Sequence, residues 1–143
     1  MNKKSVWDEE YPIDFELIGI VSSMKEYKLA WHLNELGIFH LIKADDIKIE
    51  FSEKKVVRIS NLAEETDFTS VHLLRNKIVG PGPMGMQYLL SDLQRFDYFI
   101  KLKNSIEEKW SSKIMAELRK CQAIDYAVAI DVEKVKTKDN LIF

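Results

Sequence analysis

The alternating stretch Phe96-Asp97-Tyr98-Phe99-Ile100-Lys101-Leu102-Lys103 most constrains the fold. Phe96, Tyr98, Ile100 and Leu102 fall on one side, and Asp97, Phe99, Lys101 and Lys103 on the other, the period of a half-buried strand. Directly after it, Ser105-Ile106-Glu107-Glu108 spells a capping box, which predicts a helix from Ile106 to Lys120. Ile106, Trp110, Ile114, Leu118 and Cys121 recur at near-helical spacing along it, with Met115 beside them. A second alternating run from Ala123 to Asp131 puts Ile124, Tyr126, Val128 and Ile130 on one face. A strand–helix–strand unit excludes both all-helical and all-β folds.

The first part of the chain repeats this plan. Ile13 to Val21 is β-branched, carries Gly19 and turns apolar on both faces, which predicts a central strand. Ser23-Met24-Lys25-Glu26 spells a capping box for a helix over 24–36, and Gly37 supplies its stop. Ile38 to Ala44 reads as a short strand or an apolar connection, and Asp45-Asp46 as a turn. Ile47–Phe51 and Val56–Ile59 read as a hairpin about Ser52–Lys55, Glu64–Asp67 as a further turn, and Phe68–Lys77 as containing a third antiparallel strand. Gly80-Pro81-Gly82-Pro83-Met84-Gly85 breaks regular structure, and a short helix over 86–93 is expected after it. The expected fold is α+β and ferredoxin-like in plan, β-α-β…β-α-β, with extra antiparallel strands in the middle and both helices on one face of the sheet.

At 143 residues the chain suits one domain, 1–143, with residues 1–12 as an arm and 132–143 as a charged, solvated tail ending in the apolar Leu141-Ile142-Phe143. Apolar residues make up 46% and charged residues 31%, which excludes a disordered chain. The net charge of −2 removes the bulk footprint of a nucleic-acid binder. One cysteine, Cys121, excludes an intrachain disulfide. The N-terminus starts basic, but acidic residues and Pro12 follow, so neither a signal peptide nor a membrane span is expected, and the expected compartment is the cytoplasm.

Leu90-Ser91-Asp92, three free positions, then Phe96-Asp97-Tyr98 resembles the signature of the IPExxxVDY family of small bacterial proteins. Asp97 and Tyr98 are identical to it, Leu90 and Phe96 are apolar substitutes, Asp92 is an acidic one, and Ser91 departs from the proline. Phe15-x-Leu17-Ile18-Gly19-Ile20, Lys25-Glu26-Tyr27-Lys28-Leu29 and Trp31-x-x-Asn34 are similar to the family's N-terminal half. The resemblance covers most of the chain and implies no established activity.

Asp14, Asp97 and Asp125 each open a strand. If those strands were parallel neighbours, three carboxylates would gather for a cation or for acid/base work. Solvated strand openers are the alternative, favoured because these positions lie at the amino ends of their strands. His32, His40 and His72 lack ligand spacing, and Cys121 completes an apolar helix stripe. The glycine-rich loop lacks the Gly-Lys-Ser/Thr of a phosphate cradle, although Arg75 and Lys77 precede it. No catalytic residue, metal or cofactor is expected. The function expected is a non-enzymatic binding or assembly module acting through protein–protein contacts, as a homodimer or with a protein partner. The interaction candidates are Arg75, Lys77, Asp97, Tyr98, Asp125, Tyr126, Leu141, Ile142 and Phe143. The alternative is a small-ligand regulatory domain, with its pocket between the Gly80–Gly85 loop and the ends of the first strand and the 96–103 strand. A third reading is an RNA-binding sheet, with Phe15, Tyr98 or Phe99, and Tyr126 as stacking residues.

Overall fold

A computed structural model describes residues 13–51, 55–80, 82–104 and 111–143. In chain order the elements are β1 (Phe15–Val21), α1 (Glu26–Glu35), β2 (Ile42–Phe51), β3 (Lys55–Glu65), β4 (Thr69–Arg75), β5 (Lys77–Val79), β6 (Met86–Tyr88), β7 (Tyr98–Asn104), α2 (Ser111–Leu118) and β8 (Tyr126–Ile130). Short 3-10 turns occupy Ser91–Leu93, Val132–Lys134 and Lys138–Leu141. The class is α+β, as expected. Six strands form one sheet in the order β2-β3-β4-β7-β1-β8, with every neighbouring pair antiparallel. β1 lies between β7 and β8, the two strands that α2 connects.

Both faces of the sheet are covered. Ile18, Ile20, Val71, Leu73, Ile100 and Leu102 pack in one core with Leu29 and Leu33 of α1 and Ile114 and Leu118 of α2. The two helices therefore share a face. The other core joins Leu17, Leu74 and Phe99 to Phe96, Leu89 and Leu90, and to Val132, Val135 and Leu141 near the C-terminus. Gly19 is required where β1 faces this second core. A Cβ there would lie 2.7 Å from Ile130 Cδ1 and from two ring atoms of Phe96.

Several expectations are corrected. The strand that begins near Phe96 is central and buried on both faces from Tyr98 to Leu102, because β4 and β1 flank it and each face has its own cover. Phe96 precedes the strand and packs with Phe99, 5.7 Å between ring centroids, on the face opposite Tyr98. Residues 86–93 are no helix, because β6 pairs with β5 and only Ser91–Leu93 turns. Asp45-Asp46 is no turn and lies within β2, where the register shifts between Ala44 and Ile47.

α1 starts at Glu26, two residues later than its motif predicts, and its N-cap, Lys25, makes no side-chain capping bond. Ser22 supplies the reason. Its hydroxyl donates to the Ala123 carbonyl and accepts the Met24 amide, which holds the chain extended past Ser23. Gly37 does end the helix, at φ 80°. The tail is no solvated appendage: Val132, Val135 and Leu141 are core residues. The arm, the loop at 52–54, Pro81 and the start of the second helix with its capping box lie outside the described residues.

Candidate functional site

Because β7 and β8 both run antiparallel to β1, their opening aspartates meet at the carboxyl end of β1. The Asp97 amide donates to the Ile20 carbonyl at 2.8 Å, and the Asp125 amide to the Val21 carbonyl at 2.9 Å. The recurring Asp-Tyr pair thus marks two equivalent positions on either side of one strand end. Asp14 lies at the opposite end of β1, where it pairs with Lys103 at 3.1 Å. The three carboxylates do not converge, and no group of three potential ligands for a metal occurs among the described residues.

Four candidates nominated separately come together in one cleft of about 540 Å³ at the β1–α1 junction: Arg75, Lys77, Asp97 and Tyr98. Residues 22–27 form the rest of its lining. Asp97 accepts the Ser22 amide on Oδ2 at 2.9 Å and pairs with Lys77 Nζ on Oδ1 at 3.0 Å. The Tyr98 hydroxyl donates to the Met24 carbonyl at 2.7 Å. Burial raises the Tyr98 pKa, with Arg75 opposing and Glu26 and Asp97 adding to the rise, so the donor proton is retained. The two residues fasten the junction. The Gly80–Gly85 loop is not part of the cleft; its ends close on each other through Gly80 N–H to Gly85 O, 2.7 Å, and it caps the β5–β6 hairpin.

Asn76 was not singled out by sequence, yet it organises the segment that leads into β7. Fully buried, it donates from Nδ2 to the carbonyls of Leu93 and Phe96 and accepts the Leu90 amide on Oδ1. Its backbone bonds Asp97 and Leu89. Asp92 binds the C-terminal segment, accepting the Lys136 amide and the Thr137 hydroxyl. Desolvation works to raise its pKa, but these hydrogen bonds outweigh it and hold the carboxyl below its ordinary value. No local motif announces either role, because both partners lie far along the chain.

Asp125 and Tyr126 belong to a different feature. An open groove of about 680 Å³ runs between α2 and β8, lined by Met115, Leu118 and Arg119 on the helix side and by residues 124–129 on the other. β8 is an edge of the sheet, and its five residues, Tyr-Ala-Val-Ala-Ile, carry no charge. The other edge, β2, carries Lys43, Asp45, Asp46, Lys48 and Glu50 together with the register shift. Charges and irregularities of that kind discourage edge pairing, and β8 has neither.

The last candidates, Leu141 to Phe143, divide. Leu141 is fully buried, while Ile142 and Phe143 are exposed in part. The Leu141 carbonyl accepts a 2.6 Å hydrogen bond from Lys101 Nζ, which also sits 3.8 Å from the Phe143 ring centroid. Lys101 is 4% exposed. Burial, then the Lys103 charge, lower its pKa to about 8, against a smaller opposing pull from Asp14. His72, its cross-strand partner, is hydrogen-bonded to Asn61 at 2.9 Å, and burial followed by the Lys101 charge lowers its pKa.

His32 and His40 are not brought to any shared site, and Cys121 is buried at the end of α2. Tyr98 and Phe99 are core residues on opposite faces, with no ring free for stacking. Among the described residues no helix is long and apolar enough to cross a membrane. No family model matches the chain, and neither a curated protein nor a solved structure shows detectable similarity to it.

Proposed function

We propose that the chain is a non-enzymatic assembly module that dimerises by antiparallel pairing of β8 with β8 of a second copy. The observation that carries this is the uncharged edge strand beside an open groove, opposite an edge that is heavily charged. The strand alternates large and small residues symmetrically about Val128. A two-fold axis at Val128 sets Tyr126 against Ile130 and Ala127 against Ala129, which are favourable cross-strand partners. The alanines face the helical side, where small residues let two grooves meet. The same register sets Asp125 against Asp131, so the pairing strengthens with salt.

Sedimentation equilibrium of the full chain tests this. A dimer is expected at micromolar concentration. Tyr126→Lys, at an exposed position, dissociates it, and Asp125→Lys tightens it by about tenfold as two like-charge pairs become opposite-charge pairs. A monomer for both wild type and Asp125→Lys at 100 µM, a concentration on the order of that used for weak dimers, overturns the reading, as does a dimer indifferent to both variants.

The ferredoxin-like plan belongs to the same proposal. It is supported by the split arrangement, in which β1 lies between the two strands that α2 joins, with β2 and β3 as the extension. Membership of the IPExxxVDY family is supported by what Asp92, Asp97 and Tyr98 do: each fastens a distant segment. A signature of that kind describes a way of folding.

A further inference from the structure

The segment that follows β8 lies over the second core but belongs to no sheet. Among the described residues its backbone–backbone hydrogen bonds are local, closing its own 3-10 turns. Three apolar side chains, Val132, Val135 and Leu141, and side-chain hydrogen bonds at Asp92, Asn140 and Lys101 attach it to the body. It can therefore open locally without breaking a strand ladder. Two buried titratable groups, the cross-strand neighbours Lys101 and His72, lie beneath its end. Lys101 donates to the Leu141 carbonyl, and its ammonium stands between the Phe143 and Phe15 rings, 3.8 and 4.8 Å from their centroids. The Phe143 ring meets His72 edge-on at 5.1 Å. No carboxylate among the described residues pairs with Lys101, because Asp14 is held by Lys103 at 3.1 Å. Glu65, largely exposed, stands 3.6 Å from His72 Nε2, while Nδ1 is bonded to Asn61. Among the described residues no charged side chain of the segment pairs with either group. Docking thus covers an ammonium that lacks a counter-ion and an imidazole that is better solvated when charged.

We propose that residues 132–143 form a proton-released strap: protonation of Lys101 and His72 lifts the segment from the second core, and deprotonation seats it. Release bares apolar surface of that core, to which Leu89 and Leu90 belong. Burial, to which the strap contributes, and then the Lys103 charge lower the Lys101 pKa to about 8 from 10.5, with Asp14 opposing. The docked state is therefore favoured as pH rises between those values, and the balance is flat just below pH 8. Burial, then the Lys101 charge, lower the His72 pKa from 6.5 against Glu65, so acid loosens the strap a second time. Asp92 acts in the same direction only in stronger acid, below 3.8. Opening is a property of one chain and stands whether or not β8 pairs.

Methyl relaxation-dispersion NMR of the full chain tests it, reading the undocked population at Val135 and Leu141, with Leu73 and Ile100 reporting the sheet. The population is expected to fall about tenfold from about pH 7.5 to about pH 9.5, and to rise several-fold from about pH 7.5 to about pH 5.5. Lys101→Met abolishes the alkaline change. His72→Gln, which keeps an amide for Asn61, abolishes the acid change. An undocked population equal at all three pH values overturns the proposal. So does opening in which Leu73 and Ile100 exchange together with Leu141, since the whole fold then opens as one. An alkaline response in Lys101→Met equal to that of the wild type overturns it as well. Should a variant not fold, the wild-type profile against the sheet methyls decides.

Discussion

The Tyr98 hydroxyl reaches across the end of β1 to the Met24 carbonyl, 2.7 Å away and 74 positions earlier in the chain. With Asp97 bonded to the Ser22 amide, it closes the β1–α1 turn from the side of β7. Tyr98→Phe keeps the ring in the helical core and removes that bond. A neutral hydrogen bond of this kind contributes about 1 kcal/mol, so the thermal midpoint falls by roughly 3–5 °C. Calorimetric melting of the two proteins measures it. Because the folded state raises the Tyr98 pKa above 10.0, the unfolded chain loses this proton first, and the contribution of Tyr98 declines as pH rises beyond that value.

Asn76 is the most demanding polar position. Asn76→Ala would strip hydrogen bonds from the carbonyls of Leu93 and Phe96 and from the amide of Leu90, inside the second core. Each buried group left unmatched costs about 1–3 kcal/mol, so a loss of about 3–5 kcal/mol is expected in urea denaturation. Asn76→Asp fails as well, because a carboxylate cannot donate to the two carbonyls.

The two positions show what a sequence displays and what it hides. β1, β7 and β8 were legible because alternation and β-branching are local signals. The identity of their neighbours was not, and the antiparallel order β7-β1-β8 is what separates Asp14 from Asp97 and Asp125. In the sequence Arg75 and Lys77 precede a glycine-rich loop, whereas Asp97 and Tyr98 open a strand. Their meeting in one cleft follows from β4 lying beside β7. Residues 86–93 have helical spacing, and long-range bonds to Asn76 override it. In the tail, five charged residues between Glu133 and Asp139 mask the apolar Val132, Val135 and Leu141 that enter the core.

Asp92 ties that tail down, so Asp92→Ala should loosen residues 132–141 while leaving the sheet intact. Hydrogen exchange of those residues is expected to accelerate several-fold relative to β7. Acid should do the same to the wild type. Folding depresses the Asp92 pKa below 3.8, so its contribution is complete above that value and is lost as pH falls through the lower, folded value. Exchange that is unchanged in the variant would show that apolar contacts alone hold the tail.

Gly19 is fixed by space. Gly19→Ala drives a methyl into Phe96 and Ile130, and an overpacked core costs about 1–3 kcal/mol. Pairing it with Phe96→Leu relieves the contact, so the double variant should lose less than the sum of the two single losses. Equal losses would place the strain elsewhere.

Lys101 gives the fold a dependence on alkaline pH. Its ammonium is buried against the tail, bonded to the Leu141 carbonyl and lying between the Phe15 and Phe143 rings, with His72 across the sheet and Asp14 and Lys103 nearby. Its pKa of about 8 in the folded chain lies below the ordinary 10.5. Between those values the unfolded chain holds the proton and the folded chain does not, so stability rises with pH across that window, by up to about 3 kcal/mol at 1.36 kcal/mol per unit. Below pH 8 both states are charged and the contribution is flat. His72, whose pKa is lowered from 6.5, shifts stability on the acid side: it stays neutral in the fold while the unfolded chain takes up a proton, so stability falls as pH drops below 6.5. Lys101→Met removes the alkaline rise and, because burial still lowers the His72 pKa without the Lys101 charge, keeps the acid loss in reduced size. Urea denaturation of both proteins at pH 5.5, 7.5 and 10, working points chosen within about one pH unit of those windows, separates the two groups. A wild-type curve parallel to that of Lys101→Met between the upper two points would mean that the ammonium keeps its ordinary proton affinity beneath the tail.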